Sequence, residues 1–309
     1  MAHRLALVTL AATFVLILLG GLVTNTGAAL AVPDWPSSFG YNMFLLPWAR
    51  MVGGVFYEHS HRLAGAAVGL LTLGLAAALW RAGGRLRWLG AAAVLAVVAQ
   101  GVLGGLRVVL EADTLAIVHG SLAQAFFALL AAIALLTSRA AAAPARAADP
   151  GARRLALAAV AVVYAQIVAG ALLTHAGRLW LHLGGAVAVF ALVPIVTARL
   201  RRSGDAVAAP VARALLALLG LQLLLGAGSF LARFASIWIP GGQTTMLVLP
   251  VAHRLAASLI LGATVVLALR AWATASEEDV QARRIGRTEP HVPWTGHPRS
   301  PAASRMSME

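Results

Sequence analysis

Cysteine is absent from all 309 residues, and so is lysine. The first absence excludes disulfides, iron–sulfur ligation and thiolate metal sites, and leaves histidine as the strong soft-metal ligand besides methionine. The second makes all 24 basic residues arginine. Charge of either sign is scarce: 11% of residues are charged against 60% hydrophobic, with a mean hydropathy of +0.84. A soluble domain of this length does not show such values, so the chain is read as an integral membrane protein. Acids number only 11, which leaves a net charge of +13. In a soluble protein that excess would suggest nucleic acid. In a membrane protein arginine gathers in cytoplasmic loops and fixes orientation, so the expected partner is the lipid bilayer and not nucleic acid.

About 20 apolar residues span the hydrocarbon core as a helix, the one open-ended structure that satisfies its own backbone in lipid. Eight such stretches are present, near residues 5–26, 60–80, 88–110, 115–138, 155–174, 179–199, 213–234 and 250–273. The first, from Leu5 to Thr24, is too long for the apolar region of a signal peptide and is expected to be retained. If the N-terminus is cytoplasmic, Arg4, Arg81, Arg85, Arg87, Arg139, Arg146, Arg153, Arg154, Arg199, Arg201, Arg202, Arg213, Arg270, Arg283, Arg284 and Arg287 share that side. Arg50, Arg62, Arg107, Arg178, Arg233 and Arg254 fall at the other face. The bias places both termini inside. From about residue 275 the chain is charged, proline-bearing and without period, and a disordered cytoplasmic tail is expected.

This topology sets Glu58, His61, His119, His182 and His253 at the outer ends of their helices. The halves also resemble each other. Gly20-Gly21-Leu22-Val23-Thr24-Asn25-Thr26-Gly27 aligns with Gly170-Ala171-Leu172-Leu173-Thr174-His175-Ala176-Gly177, His61 with His182, Gln100 and Gly104 with Gln222 and Gly226, and His119 with His253. The expected fold is therefore all-α: two tandem four-helix bundles related by an internal pseudo-two-fold repeat. The expected division is 1–138 with a long outer loop at 27–57, a cytoplasmic linker at 139–154, a second bundle at 155–273 and the tail at 274–309. Tryptophans in the outer loops, such as Trp35, Trp48 and Trp238, are read either as interfacial anchors or as cover for a ligand.

A single histidine at a membrane helix end is usually a polar cap. Two per bundle, at matching depth on its second and fourth helices, form the arrangement that grips a haem through both axial positions. Small residues follow them, as in Ala64-Gly65-Ala66-Ala67 and Gly184-Gly185-Ala186, and suit either a flat ring or close helix packing. Zinc would be under-ligated by two histidines without cysteine. Bis-histidine ligation favours electron transfer, so an enzyme of this design acts at the ring periphery or releases a ligand. Glu58 breaks the symmetry: it lies on the same helical face as His61, and its aligned position is Leu179. It is either an acid stabilised by the helix dipole or a carboxylate serving the first pocket with proton transfer. His59 points off that face and is expected to be solvated. Arg62 and Arg254, each following a proposed ligand, are candidate propionate contacts or snorkelling side chains. His175 is a less favoured propionate contact, and Gln100 and Gln222 are expected to bridge helices.

The stretches Gly20–Gly27, Ala31-Val32-Pro33-Asp34-Trp35-Pro36, Glu58-His59-Ser60-His61-Arg62, Val118-His119-Gly120, Leu181-His182 and Ala252-His253-Arg254 together resemble the haem A synthase family of respiratory oxidase assembly. The resemblance runs from about residue 5 to 273. It implies a monooxygenase-like membrane enzyme of the inner membrane that oxidises a ring methyl of haem O to a formyl group. By that analogy His182 and His253 bind a haem b cofactor, His61 and His119 hold the substrate haem O, and Glu58 matters for turnover. Haem O synthase, oxidase assembly factors and further copies of the chain are the partners it suggests. One departure stands out: many members carry a cysteine pair just after the Asp-Trp-Pro motif, where this chain has Ser37-Ser38. The competing readings are a non-enzymatic dihaem b electron carrier and a haem transporter. The unpaired Glu58 and the long loop over one half favour the enzyme.

Overall fold

A computed structural model of the chain describes residues 1–143, 149–234 and 240–273. Trp238, the tail and its arginines Arg283, Arg284 and Arg287 lie outside the described residues. The elements are α1 (Ala2–Asn25), α2 (Gly54–Ala82), α3 (Gly84–Leu110), α4 (Asp113–Leu136), the short α5 (Arg139–Ala142), α6 (Pro150–Ala176), α7 (Leu179–Arg202), α8 (Ala208–Phe234) and α9 (Gly242–Trp272). All but α5 are long and apolar enough to cross a membrane. Among the described residues there is no strand, only an isolated bridge between Ser38 and Tyr41 in the first loop.

The helices extend beyond the apolar stretches that predict them. Helix α2 begins at Gly54 and α9 at Gly242, with Pro250 inside it. Polar and proline-bearing first turns contribute little to hydropathy, so their helicity is hidden from an apolar-run reading. The consequence is that Glu58 and His61 lie in the second turn of α2 rather than at its start.

Consecutive helices pack as antiparallel neighbours, α1 through α4 and then α6 through α9. The α2–α3 connection is closed by Gly83 and Gly84, whose φ angles of +73° and +55° a side chain would strain. Each series has its own apolar core. Val68, Leu75, Leu79, Phe126, Leu130 and Ile133 anchor the first, and Val163, Val193, Leu200, Leu215, Leu219 and Leu267 the second. Helix α4 joins them, since it packs on α6 and α9 as well as on α1 and α3, and α1 also meets α9. Gly262 of α9 leaves room there for the Phe127 ring. Met1–Thr274 accordingly form one compact unit.

At the end of the bundle where α7 stops and α9 finishes, a buried ion pair ties three segments together. Asp205 accepts from Arg270 Nε at 3.2 Å and from Nη2 at 2.6 Å, and Arg270 Nη1 donates to the carbonyls of Ala140 and Ala143 in and after α5. Burial acts to raise the Asp205 carboxyl pKa. The bonds from Arg270 and from the amides of Ala208 and Val207 outweigh it and hold the group below its usual range. Its stabilising effect is therefore complete above the unfolded carboxylate value of about 4 and is lost as pH falls through the lower folded value.

Two outcomes follow from this arrangement. Asp205→Ala leaves a buried guanidinium uncompensated and is expected to cost about 3–5 kcal/mol, read as a lower unfolding temperature in detergent. A smaller loss than about 1 kcal/mol would mean that Arg270 is satisfied by its carbonyl contacts alone. Because no native cysteine interferes, Leu45→Cys in the exposed loop is expected to react with an impermeant maleimide in intact cells, and Arg85→Cys only after permeabilisation. The reverse labelling pattern inverts the orientation drawn from the arginines.

Candidate functional site

Two pairs of imidazoles meet in this frame. His61 of α2 and His119 of α4 have ring centres 6.4 Å apart and planes inclined at 78°. His182 of α7 and His253 of α9 are 6.1 Å apart at 69°. Two metal–imidazole bonds of about 2 Å, plus roughly 1 Å from each nitrogen to its ring centre, place trans imidazoles on one metal roughly 6 Å apart. Both pairs have that spacing. The Nδ1 atoms of His61, His119 and His253 are buried and without a hydrogen-bond partner, a costly state for a polar atom that has no ligand. Among the described residues no cluster of three or more His, Cys, Asp or Glu side chains is placed to hold a metal ion, so any metal held here takes two protein ligands.

Each imidazole lies against a glycine of the preceding helix. A Cβ on Gly20, Gly104, Gly170 or Gly226 would sit 3.1, 3.3, 3.3 or 3.0 Å from Cε1 of His61, His119, His182 or His253, respectively. Such contacts leave no room for a larger residue without displacing the ring. The residues that align between the halves thus have equivalent neighbours: Gly20 with His61 as Gly170 with His182, and Gly104 with His119 as Gly226 with His253.

Outside the first pair, the loop between α1 and α2 is fastened to α2 by three successive polar groups. Glu58 Oε2 accepts from Val32 N–H at 3.0 Å, and Oε1 accepts from Arg62 at 2.8 Å. Arg62 also donates to the carbonyls of Val32, Asp34 and Ser37. Ser38 Oγ pairs with His59 Nδ1 at 3.2 Å, and Ser37 Oγ donates to Asp34. Burial opposes ionisation of Asp34, but bonds from the amides of Gly40 and Phe39 and from Ser37 hold its carboxyl below the usual range. The two serines therefore close the loop by hydrogen bonds at the position where the resembling family often has cysteines.

This geometry corrects two expectations. His59 is not solvated: it is 2% exposed, because the loop folds back over it and Ser38 takes its ring nitrogen. The donors of Arg62 go to the loop and to Glu58, which leaves the guanidinium poorly placed as a propionate contact. Glu58, 5% exposed, faces the loop with both oxygens engaged. Arg254 runs from α9 toward Gly21 of α1, where a Cβ would lie 3.6 Å from its Nη1, so it reaches from one half into the other. His175 lies near the charges of Arg107, Asp113 and Arg254.

Three features escaped the sequence reading. Arg107, noted there only as an outer-face arginine, is close enough for its charge to act on both His61 and His119. The Trp35 indole packs on Gly105, where any side chain would collide with it, one residue from the glycine that supports His119. Gln166 binds the turn of His182, its Nε2 donating to the His182 carbonyl at 2.9 Å. Its signal was present in sequence, since it stands four residues before Gly170 as Gln100 and Gln222 stand before Gly104 and Gly226.

Comparison with known families matches residues 3–178 to the COX15-CtaA family, described as cytochrome oxidase assembly protein. The match includes the first histidine pair, the fastened loop and α6, while His182 and His253 lie beyond it. No individual curated protein matches the chain. With more than half of its length matched, and with the paired histidines and the loop in place, the chain belongs to this family of cytochrome oxidase assembly proteins, the haem A synthase family.

Proposed function

We propose that the protein is a haem A synthase: it oxidises a ring methyl of haem O to a formyl group, and the haem A formed goes to terminal oxidases. The observation that carries this reading is the presence of two histidine pairs at bis-imidazole spacing, 6.4 and 6.1 Å, of which the first is covered by a fastened loop. Family membership supports it independently.

In this reading His61 and His119 hold the substrate haem O, and His182 and His253 hold a resident haem b. A haem b held by these two histidines would supply one-electron transfer. The four glycines let the imidazoles lie against the backbone of the preceding helix, so the helices would position either haem. The loop held by Glu58 and Arg62 excludes water from the first pair, and Trp35 extends that cover toward α3. Glu58 is assigned as the residue on which turnover depends, through holding or passing a proton at Oε1 or Oε2 as the loop contacts form and break. Oxidation at a peripheral methyl leaves the histidines free to act as supports. The two halves are read as an internal repeat in an inner-membrane protein, with both pairs toward the outer face and both termini inside. Haem O synthase is the natural source of the substrate, and oxidase assembly factors the recipients of the product.

Expression together with a haem O synthase, followed by extraction and chromatography of the haems, is expected to yield haem A and its hydroxylated precursor. Haem O left unconverted beside a normal b-type spectrum would overturn the synthase reading in favour of a dihaem electron carrier.

Site roles separate in variants. His182→Ala and His253→Ala are expected to lose the resident b-type spectrum. Glu58→Gln is expected to keep that spectrum and lower product formation about 100-fold or more. Normal turnover in Glu58→Gln would remove Glu58 from the mechanism and leave it a loop fastener.

A further inference from the structure

Two arginines at the end of the bundle that carries the imidazoles take no part in the ion pairs described above. Arg107, in the last turn of α3, acts by its charge on His61 and His119, and Arg254, next to His253 on α9, acts on that histidine. Both charges reach His175 at the end of α6. Each guanidinium thus accompanies one imidazole pair, and a fifth imidazole faces both. Arg254 crosses the seam between the halves, since a Cβ on Gly21 of α1 would lie 3.6 Å from its Nη1.

None of the three follows the repeat. The alignment that pairs Gly104 with Gly226, His119 with His253 and Gly20 with Gly170 sets Arg107 against Ser229, Arg254 against Gly120 and His175 against Asn25. A part serving each bundle separately would recur, whereas these residues occur once and meet at the seam. Among the described residues neither guanidinium has a hydrogen bond or an ion pair. Asp113, whose charge also reaches His175, is exposed at the start of α4 and pairs with neither. An arginine at a membrane helix end can instead extend to the headgroups, and Arg178 and Arg233 at this same end are exposed in that way. Arg107 and Arg254 are half-buried. An uncompensated guanidinium in such a place is costly, and a carboxylate matches it in both charge and shape.

We propose that Arg107, His175 and Arg254 form one anion site at the seam, which takes carboxylates from the propionate edges of two porphyrins. Arg107 receives that of the haem at His61 and His119, and Arg254 that of the haem at His182 and His253. The proposal rests on the reading that both pairs hold haems. Two axial imidazoles leave a porphyrin free to turn about the line that joins them. A charge-assisted bond at one edge removes that freedom, and the angle it sets decides which ring edge is presented to the groups around it. Arg107 thereby takes the part for the first pair that Arg62, bonded to the loop, does not fill.

The test compares ferric protoporphyrin IX with its dimethyl ester, which keeps the iron and the ring and lacks both carboxylate charges. Each is titrated into the full chain in neutral detergent, with His182→Ala isolating the first site and His119→Ala the second, and uptake is followed by the bis-imidazole absorption bands. The ester is expected to bind about 10- to 100-fold more weakly at each site. Arg107→Met should weaken the acid by that factor at the first site and leave the ester unchanged, and Arg254→Met should do the same at the second. Equal affinity of acid and ester with both arginines in place overturns the inference, leaves lipid phosphate as their anion, and lets the two-haem reading stand. Equal losses for acid and ester in the arginine variants mark a structural role and overturn it as well. The comparison of acid with ester needs no arginine variant, so it decides the question even where one misfolds. A chain that forms no bis-imidazole complex with either porphyrin overturns both the inference and the reading beneath it.

Discussion

The close approach of a glycine to an imidazole, repeated at four helix pairs, is the contact on which the arrangement depends. A histidine within an apolar helix needs a partner, because its ring nitrogens lose water and gain nothing from hydrocarbon. A glycine opposite removes the side chain that would hold the helices apart, and the imidazole then fills the gap against backbone. The imidazoles can therefore lie close to main chain, which a larger residue at the glycine would prevent. Gly20, Gly104, Gly170 and Gly226 therefore do for the site what large side chains do for a soluble core: they fix distance. The spacings of 6.4 and 6.1 Å within the pairs follow from helix geometry that side-chain motion cannot readily relax.

The two cores serve this contact from below. Helix α4 carries His119 near its start, and farther along it contributes Phe126, Leu130 and Ile133 to the first core while Ala128 belongs to the second. Movement of α4 would therefore disturb both cores as well as the first pair. At the opposite end the Asp205–Arg270 bond ties the start of α8 and the end of α9 to the short helix that follows α4. Fixed helices leave the loop over the first pair as the part that can change. Its fastening is polar throughout, made of carbonyls, amides, two serines and one ion pair, with no covalent link.

Much of this was legible in the chain. Hydropathy locates the eight long helices, and the depth of the histidines on them selects His61, His119, His182 and His253 over the remaining five. Alignment of the halves brings out Gly104 with Gly226 and Gln100 with Gln222. What stays hidden depends on where a loop folds. Nothing in Glu58-His59-Ser60-His61-Arg62 says that His59 is covered, because the covering residue, Ser38, is 21 positions away in a segment without periodicity. The bonds of Arg62 are hidden for the same reason: besides Glu58, its acceptors are backbone carbonyls, which every residue has and no pattern marks. Gln166 lay beyond an alignment that pairs it with Leu16, since the two halves differ at that position and a search for likeness passes over differences.

If the chain is the synthase proposed, such differences bear on how two similar halves acquire two duties. Identical halves would bind two haems alike and release neither, or both. Glu58 where the second half has Leu179, the loop where it has a two-residue connection, and Leu16 where it has Gln166 all fall in the first half. Two of these add something, a carboxylate and a covering loop, while the third replaces an amide side chain by an apolar one. In the proposed reading, the carboxylate and the covering loop are what suit the first pair to a haem that arrives, is oxidised and departs.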